Sequence, residues 1–333
     1  MRAVQLRVPG GPEALELVEL PSPQPQTGQV RVLAQAIGVG RPDVMIRTGR
    51  YKWMPPLPAI IGNEMAGRVV AAGDGVPTSW LGRHVLVSAR ELDTRGGCYA
   101  QEIVVPVDAL ISLPDRIDPA DAVALPNYQL AWGLLHDATR GRLPQRVYLN
   151  GAGGGVGSAL IELCVLLGIQ VIAGAGSAEK RQFALDLGAK AAVDTSAAAE
   201  SFVEAAREAI GGEGVDLVLD HVCGPNVAHH LDLLAPFGLL VSYNALGGLP
   251  KADVFAALRA HAAHALGIVT YNMHAYDKQR ALRRGLLSTP IDWLAAGRLR
   301  PRIFRRLPLA DVREAHELLD ARAVVGKLVL DPS

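Results

Sequence analysis

The sequence predicts an α/β protein in which a doubly wound parallel sheet is joined to a smaller β-rich domain. Three observations carry this expectation. Residues 1 to about 120 run in short alternating apolar stretches punctuated by proline and glycine, the pattern of an antiparallel, barrel-like β domain. From about Pro119 apolar strands alternate with amphipathic helices, which implies parallel pairing. The chain has 333 residues, 50% of them hydrophobic, enough for two cores.

Taken in order, GQVRVLAQA (Gly28 to Ala36) and RHVLVS (Arg83 to Ser88) read as strands of the β-rich part. PSPQPQ (Pro21 to Gln26) and MPPLP (Met54 to Pro58) read as loops, because proline cannot donate to a central ladder. A helical stretch from Asp118 to Ala138 opens the second part. Its predicted strands are Arg146 to Asn150, Gln170 to Ala173, Ala191 to Asp194, Val215 to Asp220, Gly238 to Tyr243 and Leu266 to Val269, enough for two mononucleotide-binding halves. GGEG (Gly211 to Gly214) reads as a helix stop and turn. Two further helical patterns, Lys278 to Ala296 and Ala310 to Ala321, precede a terminal strand, GKLVL, expected to pack back on the first domain. The predicted division is 1–122, 123–270 and a returning segment 271–333.

Composition narrows the partner. Lysine plus arginine and aspartate plus glutamate both number 33, so no net field steers the chain toward nucleic acid or anionic lipid, and a small-molecule substrate is expected. The charged, proline-broken N-terminal stretch does not read as a signal peptide. The longest apolar stretch, Leu160 to Ala175, is interrupted by Glu162 and Gln170, so no membrane span and a cytoplasmic location are expected. Cys98, Cys164 and Cys223 are too few and too dispersed for a disulfide framework or zinc knuckle. Cys164 lies on an apolar helix stripe, where it reads as a small buried hydrophobe.

GAGGGVG (Gly151 to Gly157) follows the apolar strand VYLN and opens a helix. As A-x-G-x-x-G, its positions are Ala152, Gly154 and Gly157: a tight turn, a close backbone approach to a pyrophosphate, and close helix–strand packing. Backbone N–H groups at the helix start, at Gly155 and Val156, would meet the diphosphate charge. A bare turn with no ligand is the competing reading. A Rossmann-type fold that prefers NADH places an acid near the end of the next strand. Here QVIAGAGSAEKR carries Gly174, Ser177, Lys180 and Arg181 instead, a hydroxyl and two cations suited to a 2′-phosphate, so NADPH is favoured. Otherwise Lys180 and Arg181 are the solvated face of a helix.

AIGVGRPDVMIRTGRY (Ala36 to Tyr51), PPLPAIIGNEMAGRVVAAGDGV (Pro55 to Val76), GAGGGVG, GSAEKRQFALDLGA (Gly176 to Ala189), GVDLVLDHVCG (Gly214 to Gly224) and the terminal GKLVL together resemble the medium-chain dehydrogenase/reductase superfamily. Within it the chain is similar to the zinc-free quinone oxidoreductase branch, ζ-crystallin-like proteins and enoyl reductases included. The resemblance implies a GroES-like catalytic domain beside the Rossmann domain, and a homodimer paired through edge strands near Leu266 to Val269. It also places Asp220, Tyr243 and Asn244 near the nicotinamide. The zinc branch carries a cysteine near Gly40, a His-Glu pair at Asn63-Glu64 and a further ligand near Asn127; only the acid is present here, so zinc chemistry is not expected. A conjugated acceptor then becomes the natural hydride target. Tyr51 matches the tyrosine given proton donation in enoyl reductases, though a phenol is a weak acid at neutral pH; its other reading is a rim aromatic packed on Pro55 and Pro56.

Gly40-Arg41, Met45 and Ala131 depart from the quinone reductase pattern by removing polar groups from the expected substrate side, while Asn127 and Tyr128 add new ones. Three functions stay open: a quinone or enone reductase, an enoyl-thioester reductase, and a protein that holds NADPH without turnover. For the second, the five arginines of Arg298 to Arg306 would clamp an anionic acyl carrier; otherwise they form a solvated connection. The nine histidines, His229, His230, His261 and His264 among them, are expected on helix surfaces with no metal site.

Overall fold

The computed structural model describes residues 1–333, the side chains of residues 199 and 200 excepted. In chain order the strands are β1 (Arg2–Leu6), β2 (Leu15–Glu19), β3 (Gln29–Val39), β4 (Ala59–Ile60), β5 (Glu64–Ala72), β6 (His84–Ser88), β7 (Glu102–Pro106), β8 (Ile111–Ser112), β9 (Arg146–Asn150), β10 (Gln170–Ala175), β11 (Ala191–Asp194), β12 (Val215–Asp220), β13 (Leu234–Ser242), β14 (Gly267–Thr270), β15 (Ile303–Pro308) and β16 (Lys327–Asp331). The α-helices are α1 (Arg41–Arg47), α2 (Pro119–Ala122), α3 (Leu125–His136), α4 (Gly155–Leu166), α5 (Ala178–Asp186), α6 (Ala199–Ala209), α7 (Val254–Ala260), α8 (Arg280–Ala295) and α9 (Val312–Asp320). The chain divides into two compact units, Met1–Pro126 with Ile291–Ser333, and Asn127–Pro290.

The first unit is built on a sheet in the order β15-β16-β3-β5-β6-β8, with β7 also on β3 and a small sheet β2-β1-β4 beside it. β3 explains the arrangement. Val30, Val32, Ala34 and Ala36 are buried at a period of two, and then Ile37 to Val39 are buried on both faces. At that end β16 pairs on one side (Leu330 with Ile37) and β5 on the other (Met65 with Ile37). The sharply apolar GKLVL therefore has a slot: Leu328, Val329 and Leu330 are all 0% exposed, each burial contributing about 1.5–3 kcal/mol. Gly67 on β5 has no alternative, since a Cβ there would stand 2.0 Å from the Leu33 carbonyl oxygen.

The second unit is a wholly parallel sheet in the order β11-β10-β9-β12-β13-β14, which is the doubly wound Rossmann topology with β9 and β12 adjacent at the centre. Strand positions follow the sequence expectation closely, with one informative exception. β13 begins at Leu234 rather than Gly238, because the chain bulges between its pairings of Leu234 with Val215 and of Leu239 with Leu217. Phe237, in that bulge, takes a φ of 64°, so the Pro-Phe-Gly that reads as a break is carried inside the strand. Gly211, Gly212 and Gly214 all take positive φ, which fits the helix stop expected of GGEG. Residues 271–290 belong to this unit, held by the Gln129 amide donating to the Arg283 carbonyl (2.7 Å) and by the Tyr276 hydroxyl donating to the Asp137 carboxylate.

The histidines depart from expectation. His84, His230 and His316 are buried rather than on helix surfaces. His316 accepts or donates one hydrogen bond with Tyr99 (3.1 Å), and His230 lies 3.2 Å from the Asp220 carboxylate. His230 and His316 are each buried beside a buried polar group on a distant segment. Cys164 is buried on α4, as its position on the apolar stripe predicts.

Candidate functional site

β9 ends at Asn150 and delivers the chain into the turn at Gly151, whose φ is +87°. A Cβ at Gly151 would lie 1.9 Å from the His221 ring, so this glycine is fixed both by conformation and by close approach. His221 itself, 3.1 Å from the Asn150 carbonyl, is a residue the sequence reading missed; its only signal is its place directly after the strand VLD.

Gly154 and Gly157 do different work. Gly157 packs so tightly that a Cβ would meet the Ala152 carbonyl oxygen at 2.6 Å, which keeps α4 against its strand. Gly154 is the N-cap of α4, in an extended conformation (φ −86°, ψ 173°), and a Cβ there meets nothing within 4 Å among the described residues. No side chain caps the first turn of this twelve-residue helix, and no acid stands in it. The first amides, those of Gly155 and Val156 included, thus present a positive end on a bare floor, which suits a diphosphate. Ala152, buried, completes the turn.

The next strand supplies the second half of the cradle. Gly174 on β10 leaves room for the Tyr148 hydroxyl and the Thr195 methyl, 2.4 Å and 2.9 Å from where its Cβ would stand. Ser177 caps α5, its Oγ accepting from the Lys180 amide at 3.3 Å. The Lys180 stem lies along the turn, with Cγ 2.7 Å from an ideal Cβ at Gly153. Arg181 turns elsewhere: its Nη1 donates to the Ala175 carbonyl (3.3 Å) and pairs with Asp194 at 2.9 Å. An acid therefore does stand at this corner, but on the neighbouring strand, where Asp194 is opposite Ala175. Two bonds from Ser196 hold the Asp194 carboxyl below its ordinary pKa, with Arg181's charge adding to them.

At the far side of the sheet's switch, Asp220 is fully buried and held through one of its two oxygens. Its Oδ1 accepts from Asn150 Nδ2 (2.8 Å) and from the backbone N–H groups of Val222 (2.8 Å) and Cys223 (3.0 Å). Burial works against this carboxylate, yet His230 and these donors hold it below its ordinary pKa. His230 Nδ1 stands 3.2 Å from Asp220 Oδ2 without hydrogen-bond alignment. Asp220 thus anchors the strand end through protein groups. Tyr243 is half-buried, its ring 5.7 Å from that of His221, its hydroxyl buried without a partner, and burial pushes its phenol well up. Asn244 is exposed and its side chain accepts from the Ala245 amide at 2.8 Å.

In the first unit, the positions where a catalytic zinc would need ligands do not fit one. Gly40 has no side chain, Asn63 spends its amide on Asp43 (2.6 Å), and the Glu64 carboxylate is paired with Lys327. Among the described residues no three His, Cys, Asp or Glu side chains converge. Asp43 is 2% exposed and also accepts from the Gly40 amide at 2.8 Å; burial, with Glu64 nearby, pushes its pKa up to about 7. Tyr51 is half-buried against the unit's core, its ring 5.7 Å from Trp53 at 59°. Tyr128, in the second unit, gives its hydroxyl to Glu162 on α4. The arginine run is dispersed: Arg298 lies 4.3 Å over Trp293, Arg305 pairs with Glu314 (2.9 Å), and Arg306 with Asp331 (2.7 Å).

Residues 26–115 match the model of the alcohol dehydrogenase GroES-like domain, and residues 187–330 that of a zinc-binding dehydrogenase. The chain is 30% identical to the synaptic vesicle membrane protein VAT-1 homolog of Rattus norvegicus over 349 residues, covering 100% of this chain and 84% of that protein. It is 28% identical over 335 residues to the quinone oxidoreductase of the same animal, covering 99% and 97%. Among solved structures, Escherichia coli quinone oxidoreductase complexed with NADPH superposes with a TM-score of 0.87 at 28% identity, covering 100% of both chains.

Proposed function

The chain belongs to the medium-chain dehydrogenase/reductase superfamily, and from that premise we propose that it is an NADPH-dependent oxidoreductase reducing a quinone or an α,β-unsaturated carbonyl compound without catalytic zinc. The observation that carries this reading is the bare floor at Gly154, with the uncapped start of α4 behind it and Ser177 and Lys180 beside it. Bound there, the dinucleotide supplies a hydride to the acceptor. Gly154 admits the diphosphate, and the amides of Gly155 and Val156 hold its charge. Gly174 lets the Tyr148 hydroxyl and the Thr195 methyl pack close to β10, and Lys180 draws the 2′-phosphate.

The donor set at Gly40, Asn63 and Glu64 argues for an acceptor that needs no metal to polarise it. In a conjugated carbonyl the β-carbon takes hydride while charge moves to oxygen, so the protein needs only to orient the acceptor and let a proton reach it. We assign Tyr51 the role of orienting the acceptor and donating toward its oxygen. Val222, Cys223, Asn150 and His230 fix Asp220, which keeps the end of β12 rigid where the nicotinamide would bind. Arg298, Arg305 and Arg306 are engaged by Trp293, Glu314 and Asp331 rather than gathered on one point, so they lend the enoyl-thioester reading no support.

The test is a stopped-flow panel of quinones, enones and enoyl thioesters, with NADPH and NADH compared and a chelator present throughout. Acceptor-dependent oxidation of NADPH by a quinone or enone is expected. Oxidation at background with every acceptor would favour a dinucleotide-holding protein without turnover. A clear preference for NADH would overturn the cofactor assignment.

A further inference from the structure

The corner formed by β10, α5 and β11 contains an arrangement that a search for an acid along β10 alone cannot find. Arg181, the one guanidinium of the GSAEKR segment, is drawn across to β11 by Asp194, with 2.9 Å between Nη1 and Oδ2. The parallel register puts Asp194 directly opposite Ala175, whose carbonyl takes the same Nη1 at 3.3 Å. Asp194 cannot easily swing away to release it. Its other oxygen accepts from the Ser196 amide (2.9 Å) and the Ser196 hydroxyl (2.6 Å), an anchorage that fixes the carboxylate toward β10. Around this pair the side chains are short: Gly176, Ser177 and Thr195, with Thr195 Oγ1 3.9 Å from an ideal Cβ at Gly176.

On the reading that the turn at Gly154 holds a dinucleotide, this corner faces the adenosine ribose. We propose that Asp194 is a specificity-determining residue: by holding Arg181 against β11 it limits how strongly the chain prefers the dinucleotide with an adenosine 2′-phosphate over the one with a free 2′-hydroxyl. The phosphate dianion meets Ser177 and Lys180 directly. It gains Arg181 only by displacing a carboxylate that is itself a like charge and is pinned by two hydrogen bonds. A free 2′-hydroxyl pays no such penalty. The side chains are 25% and 42% exposed, so solvent screens the pair and the effect is moderate.

The experiment is calorimetric titration of NADPH and NADH into the full chain and into Asp194→Asn, Arg181→Ala and the double variant. Thermal melts confirm that each is folded. The ratio of the NADH to the NADPH dissociation constant is expected to rise about five- to ten-fold in Asp194→Asn. The rise should vanish when Arg181→Ala is added. An unchanged or lower ratio in Asp194→Asn overturns the proposal, and so does a rise that persists without Arg181, which would mean direct repulsion alone. If the wild-type chain binds neither dinucleotide, the reading of the turn fails as well. If it binds them and Asp194→Asn leaves the ratio unmoved, only the role of Asp194 fails.

Discussion

Gly154→Ala separates ligand binding from folding. Gly154 has a φ of −86°, a value any residue adopts, and an ideal Cβ there touches nothing within 4 Å among the described residues. Alanine at an N-cap costs about 0.5–1 kcal/mol relative to glycine, while losing glycine's unfolded-state freedom returns about 0.4–1 kcal/mol. The net effect on stability is near zero, so the melting temperature should move by no more than about 3 °C. The methyl, however, projects into the space the diphosphate needs. Displacing the phosphate from one or two backbone N–H groups removes charge-assisted hydrogen bonds of about 1.5–3 kcal/mol each, which raises the NADPH dissociation constant by about 10- to 100-fold or more. Gly157→Ala is the counterpart: its Cβ would stand 2.6 Å from a carbonyl oxygen, so it should lower the melting temperature visibly. The assay is calorimetric titration with NADPH, paired with a thermal melt. Unchanged affinity in a folded Gly154→Ala protein would refute the placement of the diphosphate at this turn.

The remaining predictions concern the first unit. Asp43 is raised from 3.8 to about 7 by burial and by Glu64, so the folded state binds a proton the unfolded chain has released. This group's stabilisation is fully present below about pH 4 and is lost as pH rises through about 7, on the order of 4 kcal/mol in total. His316 slopes the other way. Burial, then Arg47, lowers it from 6.5 to about 3, so its stability is present above pH 6.5 and lost on acidification toward 3. Between about pH 4 and 6.5 the two slopes oppose one another. Melts of wild type and Asp43→Asn across pH 4–8 should therefore show the variant gaining on wild type as pH rises, and a constant offset would contradict the assignment. Tyr51→Phe should lower kcat with an enone by about 10- to 100-fold if the hydroxyl donates in the transition state, while the NADPH dissociation constant stays put. A variant turning over at the wild-type rate leaves Tyr51 as an aromatic packed beside Trp53.

Much of the fold is legible in the sequence because its signals are local. The strand VYLN, the glycine turn and the apolar stripe of α4 lie in one continuous segment, and the alternation of strand and helix fixes the parallel sheet. Signals that depend on register across strands are not legible in the same way. The pairing of Arg181 with Asp194 requires knowing that Ala175 and Asp194 are opposite one another, which no single segment states. Read alone, Arg181 belongs to the 2′-phosphate; beside Asp194 it is already engaged. The burial of His230 and His316 follows from partners on distant segments, Asp220 and Tyr99. The dispersal of Arg298 to Arg306 follows because part of the run becomes β15, whose alternating side chains reach different acids. The bulge at Phe237 hides a strand start behind a proline and a glycine that ordinarily mark its end.

The account's central claim is that hydride passes from NADPH to the β-carbon of a conjugated acceptor without a metal. The most direct measurement is a single-turnover reaction of an enone with NADPH deuterated at the transferable position of the nicotinamide, run in ordinary water with a chelator present and read by mass spectrometry and NMR of the product. The prediction is one deuterium, on the carbon β to the carbonyl, with the proton on the α carbon drawn from solvent. A saturated carbonyl product without deuterium, deuterium at the carbonyl carbon, or turnover that appears only when zinc is supplied would contradict it.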